Sequence, residues 1–268
     1  MVNFTKYKKL LTDSKINFID RKKISYYFRS LRLILFNIEN PLVLLFLFIR
    51  RRVVLKLKNG LLIEIVNPID FLVIKETIID DAYKLLDLCK ANLIIDIGAA
   101  FGDFAILAAK KFPTAQILAF EPDKAGYLLL IDNIKRNKLT NIKSFSVAIG
   151  HGQVSFEGNR GVKSSIYEKS KDNKKINLKN LSNFIKNKKV DLLKIDCEGA
   201  ELNILESVGD KLRDVKKIAL EYHNHLVKNE DLLLKDLLIK NNFKVQQKKD
   251  PYNPNIGYIY ASNKLFLD

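Results

Sequence analysis

From residue 92 onward, short apolar runs alternate with stretches that have helical spacing. The apolar runs predict strands at Leu93–Ile97, Gln116–Phe120, Ile142–Val147, Val190–Ile195, Lys217–Glu221, Phe243–Gln247 and Ile256–Ala261. The stretches between them predict helices at Asp103–Lys111, Lys124–Asn137, Leu178–Lys186, Ala200–Ser207 and Lys228–Asn241. The strands are continuously apolar, as burial on both faces requires. This order predicts an α/β fold in which helices cover both faces of a mainly parallel sheet.

The first 91 residues predict a different organisation. Residues 1–50 predict helices with a break near Asn40-Pro41, and residues 70–90 predict a further helix. Between them, the β-prone runs Val53–Leu57 and Leu61–Val66 flank Asn59-Gly60, a pair typical of a type I′ hairpin turn. We therefore divide the chain into a basic, amphipathic helical segment (1–50), a hairpin and helix that lead into the core (51–91), and the α/β domain (92–268).

The positive charge of the chain is concentrated near its N-terminus. The formal net charge is +16, and residues 1–59 hold fourteen Lys and Arg against three acidic residues. That segment therefore carries +11, which leaves +5 for residues 60–268. Such an excess can bind the phosphates of nucleic acid or of anionic lipid. It can also reflect an AT-rich genome, and then it implies no partner.

The most apolar stretch, Leu31–Ile49, lies inside this basic segment. Its unbroken part, Leu42–Ile49, is too short to span a bilayer core of about 30 Å, and Arg50-Arg51-Arg52 follows directly. Two interpretations stay open. The stretch is either an amphipathic helix that packs on the core, or a helix in the membrane interface that holds residues 1–52 against anionic headgroups.

The sequence also indicates a compartment. No apolar run follows the basic start Met1–Lys9 directly, so the chain shows no secretory signal. The two cysteines, Cys89 and Cys197, lie in apolar or strand-like surroundings, and we expect both to be buried free thiols in a reducing compartment. We expect a cytoplasmic protein, with association at a membrane surface as the alternative that the basic segment offers.

The end of the first α/β strand predicts a ligand site, because ligands bind beyond the carboxyl ends of strands in open α/β sheets. Asp96, Gly98, Ala99 and Gly102 lie where this strand turns into a helix. Gly98 permits a tight turn close to a ligand, and Gly102 begins a helix whose free N–H groups favour an anion. The Gly-x-x-x-Gly spacing is not that of a dinucleotide site, and Asp96 suits a cationic amino-acid ligand. A purely structural turn is the alternative.

The next two strand ends extend this site. Glu121, which precedes Pro122, lies 23 positions after Gly98. An acidic residue at about this spacing can accept hydrogen bonds from both ribose hydroxyls. We therefore predict a ligand that contains adenosine and lacks a 2′-phosphate. Ala148, at the end of the third strand, is the expected neighbour of the adenine.

Charged residues of two later strands predict the reacting groups. Lys194, Asp196 and Glu198 alternate along one strand and so point to one side, where they face either a ligand or each other. Glu221 and His223 end the following strand, and a histidine beside an acid can act as a general base. Structural pairing, including an internal Lys194–acid pair, is the alternative. A divalent metal held by Asp196, Glu198, Glu221 and His223 is conceivable. The spacing of these residues in the sequence is not that of a known metal motif, so we predict no metal site.

Together the motifs resemble the FkbM-type S-adenosylmethionine-dependent methyltransferases, a family of the class I, Rossmann-like superfamily. The matching residues are Asp96–Ala99, Gly102, Phe120–Pro122, Asn133, Ser164-Ser165, the run Lys194–Glu201, Glu221 and His223, with Gly60 and Tyr83 upstream. The resemblance covers residues 52–262 and departs at Ala100, where the family often has asparagine. It implies a seven-stranded sheet with an antiparallel last strand. It also implies methyl transfer from S-adenosylmethionine, usually to an oxygen of a sugar or of a secondary metabolite.

This resemblance gives each candidate residue a role. We predict cofactor binding by Asp96, Gly98, Ala99, Gly102, Glu121, Pro122 and Ala148. We predict catalysis by Lys194, Asp196, Glu198, Glu221 and His223, with His223 or Asp196 as the base. The enzyme would mainly align the acceptor oxygen and remove its proton, because alignment supplies much of the rate.

Two other functions stay open at this point. One is an NAD-dependent oxidoreductase, although the glycine spacing and the lack of a hydride-site motif count against it. The other is a nucleic-acid methyltransferase that uses the basic, aromatic-rich N-terminus. The expected acceptor is a small molecule or glycan, including a lipid-linked saccharide, and the polar stretch Gly150–Lys175 would contact it. Within that stretch, Gly161–Ile166 is either a lid or an ordinary surface loop.

Overall fold

The structure is a computed structural model that describes residues 30–33, 35–48, 52–67, 69–155, 175–185, 188–251 and 253–267. Its strands there are β1 (Val53–Lys56), β2 (Leu62–Ile65), β3 (Leu93–Ile97), β4 (Gln116–Phe120), β5 (Ile142–Phe145), β6 (Gln153–Ser155), β7 (Lys175–Asn177), β8 (Leu192–Ile195), β9 (Lys217–His223), β10 (Phe243–Lys249) and β11 (Ile256–Asn263). The α-helices are α1 (Asp70–Ile74), α2 (Asp103–Lys111), α3 (Lys124–Arg136), α4 (Ser182–Ile185), α5 (Glu201–Val208) and α6 (Glu230–Lys240). The 3-10 helices are Pro41–Phe48, Gly209–Asp214 and Lys264–Phe266, and α1 continues as a π-helical turn, Lys75–Ile79.

Seven strands form one sheet in the order β10-β11-β9-β8-β3-β4-β5. The five strands from β9 to β5 pair in parallel, whereas β11 lies antiparallel between β9 and β10. The predicted α/β fold, with its mainly parallel sheet and antiparallel last strand, is confirmed. The chain proceeds from β3 to one edge and from β8 to the other, so the carboxyl ends of β3 and β8 flank the switch point where such sheets bind ligands.

The core consists of one apolar layer on each face of the sheet. Ile95 of β3 packs in a cluster with Leu205 of α5 and Leu234 of α6, whereas its neighbour Ile94 packs in a cluster with Phe104 of α2. Both neighbours are fully buried, which explains why the strand is apolar without alternation.

The predicted hairpin is present as β1 and β2, but its turn is not type I′. Leu57 and Leu61 face each other across a three-residue loop, in which the Gly60 N–H donates to the Leu57 carbonyl at 2.8 Å. Within the described loop 58–60, only Gly60 has a positive φ, of 77°. A type I′ turn needs two such residues, so this is the three-residue loop that ends in a left-handed glycine. The inner face of the hairpin packs against Phe101 and Leu129, which joins it to the α/β domain.

The predicted helix over residues 70–90 is wrong in its second half, because helical structure ends at Ile79. Asp81 and Lys84 have positive φ, of 48° and 57°. The Asp81 carboxylate accepts hydrogen bonds from the Leu85 and Leu86 amides, at 2.8 and 3.0 Å. A short polar side chain that takes backbone amides in this way competes with the helix.

The remaining predictions agree with the structure in one part and differ from it in two. In the N-terminal segment, residues 30–33 and 35–37 are helical, and the predicted break precedes the 3-10 helix Pro41–Phe48. The antiparallel pairing of β6 with β7 was not predicted. Both cysteines are free, as predicted, but Cys89 is exposed and Cys197 is half-buried. The predicted burial is therefore wrong for Cys89, which lies in the irregular segment after Ile79. Among the described residues, no helix has the length and apolar character needed to cross a membrane.

Candidate active site

The carboxyl ends of β3, β4, β8 and β9 meet at a cavity of about 640 Å³. This volume lies within the range of roughly 300–1,000 Å³ that small-molecule sites occupy. Nine of the predicted residues line it: Gly98, Glu121, Pro122, Ala148, Lys194, Asp196, Glu198, Glu221 and His223. Asp96, Ala99 and Gly102 lie in β3 and its connection to α2 without lining the cavity.

Two glycines shape the loop from β3 to α2 for different reasons. Gly98 has a φ of 78°, and a Cβ atom there would lie 1.8 Å from the carbonyl oxygen of Asp196. The tight turn predicted at Gly98 is present, and it brings two strand-end loops into direct backbone contact beside the cavity. Gly102 has a φ of 93° and is the N-cap of α2, where a Cβ atom would lie 2.5 Å from the Leu130 side chain.

Glu121 fixes the same loop from β4. Its Oε2 accepts a hydrogen bond from the Ala100 N–H at 2.8 Å, and its Oε1 accepts one from the Asp123 N–H at 2.7 Å. Ala100 has a φ of 44°, an uncommon conformation for alanine. Burial raises the pKa of Glu121 to about 7, against the effect of the two amides. Each carboxylate oxygen keeps a further lone pair, so the predicted ribose contact is compatible with these bonds.

Lys194 forms a buried ion pair with Asp96, its neighbour in the register of β8 and β3. The Lys194 Nζ lies 3.1 Å from Asp96 Oδ1 and donates to the Gly98 carbonyl at 2.8 Å. Burial disfavours the charged amine, but Asp96 and Asp196 outweigh it and raise the pKa of Lys194. The internal pair is therefore present, and Lys194 also fixes the Gly98 turn. The direct cofactor contact predicted for Asp96 stays a prediction.

Asp196 faces the cavity and is held from behind by Tyr83. The Tyr83 hydroxyl donates to Asp196 Oδ2 at 2.7 Å, and the Asp196 side chain is 28% exposed. The Tyr83 ring packs edge-on against Phe104 and Tyr258. Burial, together with the charge of Asp196, raises the pKa of Tyr83 well above its usual range, so the hydroxyl remains a donor. The position of Asp196 is therefore well defined.

His223 lies between glutamates on both sides of its ring. Its Nδ1 is 3.4 Å from Glu201 Oε1, and its Nε2 is 3.6 Å from Glu198 Oε2. Glu201 Oε1 also accepts the Cys197 N–H at 2.9 Å, and Glu230 Oε2 accepts the His223 N–H at 2.7 Å. Burial opposes the charged ring, but the hydrogen bond and charge of Glu201 outweigh it and raise the pKa of His223 to about 10. His223 is therefore protonated at neutral pH.

The cavity wall contains acidic residues that the sequence reasoning missed. Burial, followed by the charge of Asp196, raises the pKa of Glu76 to about 8, and burial raises that of Asp103 to about 7. Burial also raises the pKa of Glu221 well above its usual range. Glu76 lies in the π-helical turn and Asp103 in the first turn of α2, so neither stands at a strand end where the motif search looked.

The rest of the wall is mostly apolar. Phe120, Val147 and Ile149 lie beside Ala148, the predicted neighbour of adenine, and form a surface on which a flat ring can pack. Thr77, His225 and Asn253 also line the cavity and were not predicted. No local motif marks them. Gly161–Ile166, the candidate lid, lies outside the described residues.

Two groups of side chains, which share His223, have the spacing of a metal site. Asp196, Glu221 and His223 each bring a ligand atom to within 4.8 Å of the others, and Glu201, His223 and Glu230 do the same. A protonated imidazole has no lone pair for a metal, so an ion that used His223 at either place would displace its proton. The absence of a metal site stays a prediction.

Comparison with known proteins identifies the family of this chain. A family model described as the methyltransferase FkbM domain matches residues 96–245. A protein named Methyltransferase 1 from Beauveria bassiana (strain ARSEF 2860) is 26% identical over 169 residues, covering 53% of this chain and 68% of the relative. Methyltransferase sdnD from Sordaria araneosa is 26% identical over 176 residues, covering 51% and 68%. The crystal structure of Methyltransferase FkbM from Methylobacillus flagellatus KT superposes with a TM-score of 0.47 and 16% identity, covering 64% of this chain and 43% of that one.

Proposed function

Because the chain belongs to the FkbM family of S-adenosylmethionine-dependent methyltransferases, we propose that it methylates a hydroxyl oxygen. The acceptor would be a sugar or glycan, a lipid-linked saccharide or a secondary metabolite. The observation that carries the proposal is a partly exposed carboxylate, Asp196, which Tyr83 and Lys194 hold at the cavity beside the Gly98 loop. Membership of a methyltransferase family gives the oxidoreductase alternative no support.

The chemistry of the wall fits S-adenosylmethionine. This cofactor supplies an electrophilic methyl carbon on a sulfonium, and its sulfonium and ammonium outnumber its single carboxylate. Among the described residues, six acidic side chains line the cavity against two cations, Lys194 and the protonated His223. The acidic residues are Glu76, Asp103, Glu121, Asp196, Glu198 and Glu221. Burial raises the pKa of several of these carboxyls. A cationic ligand beside them would favour their charged form and so oppose this effect of burial.

The residues that would hold the cofactor come from three strand ends. Glu121 would accept the ribose hydroxyls, and the wall beside Ala148 would pack on the adenine. The Gly98 turn would approach the amino-acid end of the cofactor, with Asp96 and Lys194 fixing the backbone behind it. Binding and orientation are the main tasks of these groups, because alignment of the two reactants removes much of the barrier.

We assign the general base to Asp196 rather than His223. A base must be unprotonated at the working pH, and the pKa of His223 is raised to about 10. Asp196 has a partly exposed carboxylate that faces the cavity, where it can accept the proton of an acceptor hydroxyl. His223 would then be a fixed cation that partly offsets the surrounding acids, and Glu198 and Glu221 would flank the acceptor.

The test is methyl transfer from radiolabelled S-adenosylmethionine to a panel of saccharides, lipid-linked saccharides, hydroxylated metabolites and RNA. Mass spectrometry of the product then identifies the methylated atom. We expect transfer to oxygen, with a loss of roughly 100-fold or more for Asp196→Asn, since a general base contributes about 10²–10⁴-fold. The exposed Asp236→Asn is the matched control. Methylation of nitrogen, carbon or RNA, or full activity of Asp196→Asn, would refute the proposal.

A further inference from the structure

Exposed large apolar side chains are concentrated in two short helical segments before the hairpin. The members are Leu31, Leu35, Phe36, Leu42, Leu45 and Phe46, which are between 40% and 74% exposed. Single exposed apolar residues are ordinary on a protein surface, but a dense group of them marks an interaction site. We call these six residues the N-terminal apolar face.

This face is the outer side of a segment whose inner side is already packed. Val43 and Leu44 pack against the hairpin core, and Ile38 is buried and bridges to Leu57. The Asn40 side chain donates to the Val54 carbonyl at 2.9 Å and accepts the Lys56 N–H at 2.8 Å. Packing on the core therefore accounts for the inner side chains of this segment and leaves its outer side chains exposed.

The charge around the face favours an anionic partner. The Lys58 ammonium lies 3.9 Å from the centre of the Phe36 ring, so a cation borders the apolar surface. Ile49 follows the second helical segment, and Arg50 and Arg51 come next, within the N-terminal region that carries +11. Arg52 is engaged elsewhere, since it lies 3.6 Å from Glu64 and 3.7 Å from Asp132. A second copy of the chain would bring an equal positive charge to the contact, whereas anionic lipid headgroups would neutralise it.

The composition and length of the face favour lipid over nucleic acid. The segment Pro41–Phe48 contains no polar or charged side chain, so it offers hydrocarbon rather than hydrogen bonds. Eight residues of 3-10 helix extend about 16 Å, half the bilayer core, so the segment can lie in the interface but cannot span it. Binding to a membrane surface strengthens with the apolar area buried and with the attraction of nearby cations to anionic lipid.

We propose that the N-terminal apolar face docks on the surface of a bilayer that contains anionic lipid. The face inserts among the acyl chains while the neighbouring cations bind headgroups. This inference rests on the exposed apolar residues 31–46 and on the charge of residues 1–59, and it is independent of the methyl acceptor.

The experiment is flotation of the full-length protein with vesicles of phosphatidylcholine, or of phosphatidylcholine and phosphatidylserine in equal parts. We expect binding to the mixed vesicles, weaker binding to phosphatidylcholine alone, and loss of binding at high salt. Leu42→Glu with Leu45→Glu should lower the partition coefficient at least about tenfold, because two apolar contacts are removed. Leu232→Glu with Leu233→Glu is the matched control, since both leucines are exposed on α6, and it should bind like the wild type.

Several results would overturn the proposal. The wild type could fail to bind the mixed vesicles, or it could bind both vesicle types equally. The control variant, Leu232→Glu with Leu233→Glu, could also lose as much vesicle binding as the Leu42→Glu, Leu45→Glu variant. A concentration-dependent dimer that the Leu42/Leu45 pair abolishes, without vesicle binding, would assign the face to a second copy. S-adenosylhomocysteine affinity, measured for both pairs, verifies that each variant is folded. If the Leu42→Glu, Leu45→Glu variant does not bind S-adenosylhomocysteine, the proposal is judged by how binding of the wild type to vesicles depends on salt and on anionic lipid.

Discussion

The protonation state of His223 can be changed through one buried neighbour, Glu201. The Glu201 carboxylate lies 3.4 Å from His223 Nδ1, and both side chains are at most 3% exposed. Glu201→Gln removes the charge and keeps an oxygen that can accept the Cys197 N–H. We expect this substitution to lower the pKa of His223 while the backbone arrangement is retained.

The size of the effect follows from the geometry. A single opposite charge at close range shifts a pKa by about 1–3 units, so we expect the pKa of His223 to fall by roughly 2 units from about 10. Glu221 and Asp196 remain and keep part of the shift. A fall of 2 units corresponds to about 3 kcal/mol of interaction energy between Glu201 and the charged ring.

The pKa shift also predicts how stability depends on pH. The pKa of His223 in the folded protein is above its ordinary value of 6.5. Its contribution to folding is therefore fully present below pH 6.5 and is lost as the pH rises toward about 10. In Glu201→Gln the upper limit of this pH range should fall, because the pKa of His223 in the folded protein is lower. The free energies of unfolding in urea of the variant and the wild type should therefore differ most near neutral pH and less at alkaline pH.

Nuclear magnetic resonance of the imidazole rings measures the pKa directly. The chain has only three histidines, so comparison with His223→Asn assigns the signals. Glu206→Gln, on the exposed side of the same helix α5, is the control and should leave the titration unchanged. A wild-type His223 that titrates near 6.5 would refute both the ion pair and the assignment of the base to Asp196. A pKa of His223 that Glu201→Gln does not change would refute the ion pair alone.

Three further predictions concern the loops that build the site. Gly98→Ala should destabilise the protein by several kcal/mol in thermal unfolding and abolish cofactor binding, because its Cβ would meet the Asp196 carbonyl oxygen. Gly152→Ala is the control, since Gly152 has a φ of 84° but open space around it. This variant should lose only about 1 kcal/mol of stability. Ala100→Asn should stabilise by about 1 kcal/mol, since asparagine tolerates a φ of 44° better than alanine, and a lower melting temperature would contradict this. Asn133→Ala should cost about 3 kcal/mol in urea unfolding, because it leaves the buried backbone of Glu64 and Phe101 without three hydrogen bonds, and a loss below 1 kcal/mol would show that water replaces them.

Local sequence signals were sufficient to predict the β3–α2 loop and the position of Glu121 at the next strand end. A buried strand, a glycine turn and a helix start lie within ten residues, and Glu121 follows at a spacing that one βαβ unit fixes. The alternation of strands and helices was likewise sufficient to predict the mainly parallel sheet. Each predicted element of the α/β domain is present, with bounds that differ by at most four residues.

Contacts between distant parts of the chain were beyond such signals. Tyr83 binds Asp196 across 113 positions, and no periodicity or spacing encodes that pair. The apolar pattern of residues 70–90 also fits a helix, and only the hydrogen bonds of the Asp81 side chain show why helical structure ends earlier. Glu76 lines the cavity from a π-helical turn, a backbone conformation that the pattern of side chains does not predict.

The position of β11 has a consequence for the order of folding. β10 precedes β11 in the chain but touches the sheet only through it, because β11 lies between β9 and β10. β11 can pair with β9 by itself, whereas β10 joins the sheet only together with β11 or after it. Ile256, in β11, pairs with His223 and lines the cavity, so the wall of the cavity is complete only when β11 is part of the sheet. As long as β11 is unpaired, the cavity beside the β3–α2 loop would be open to water on the side of His223.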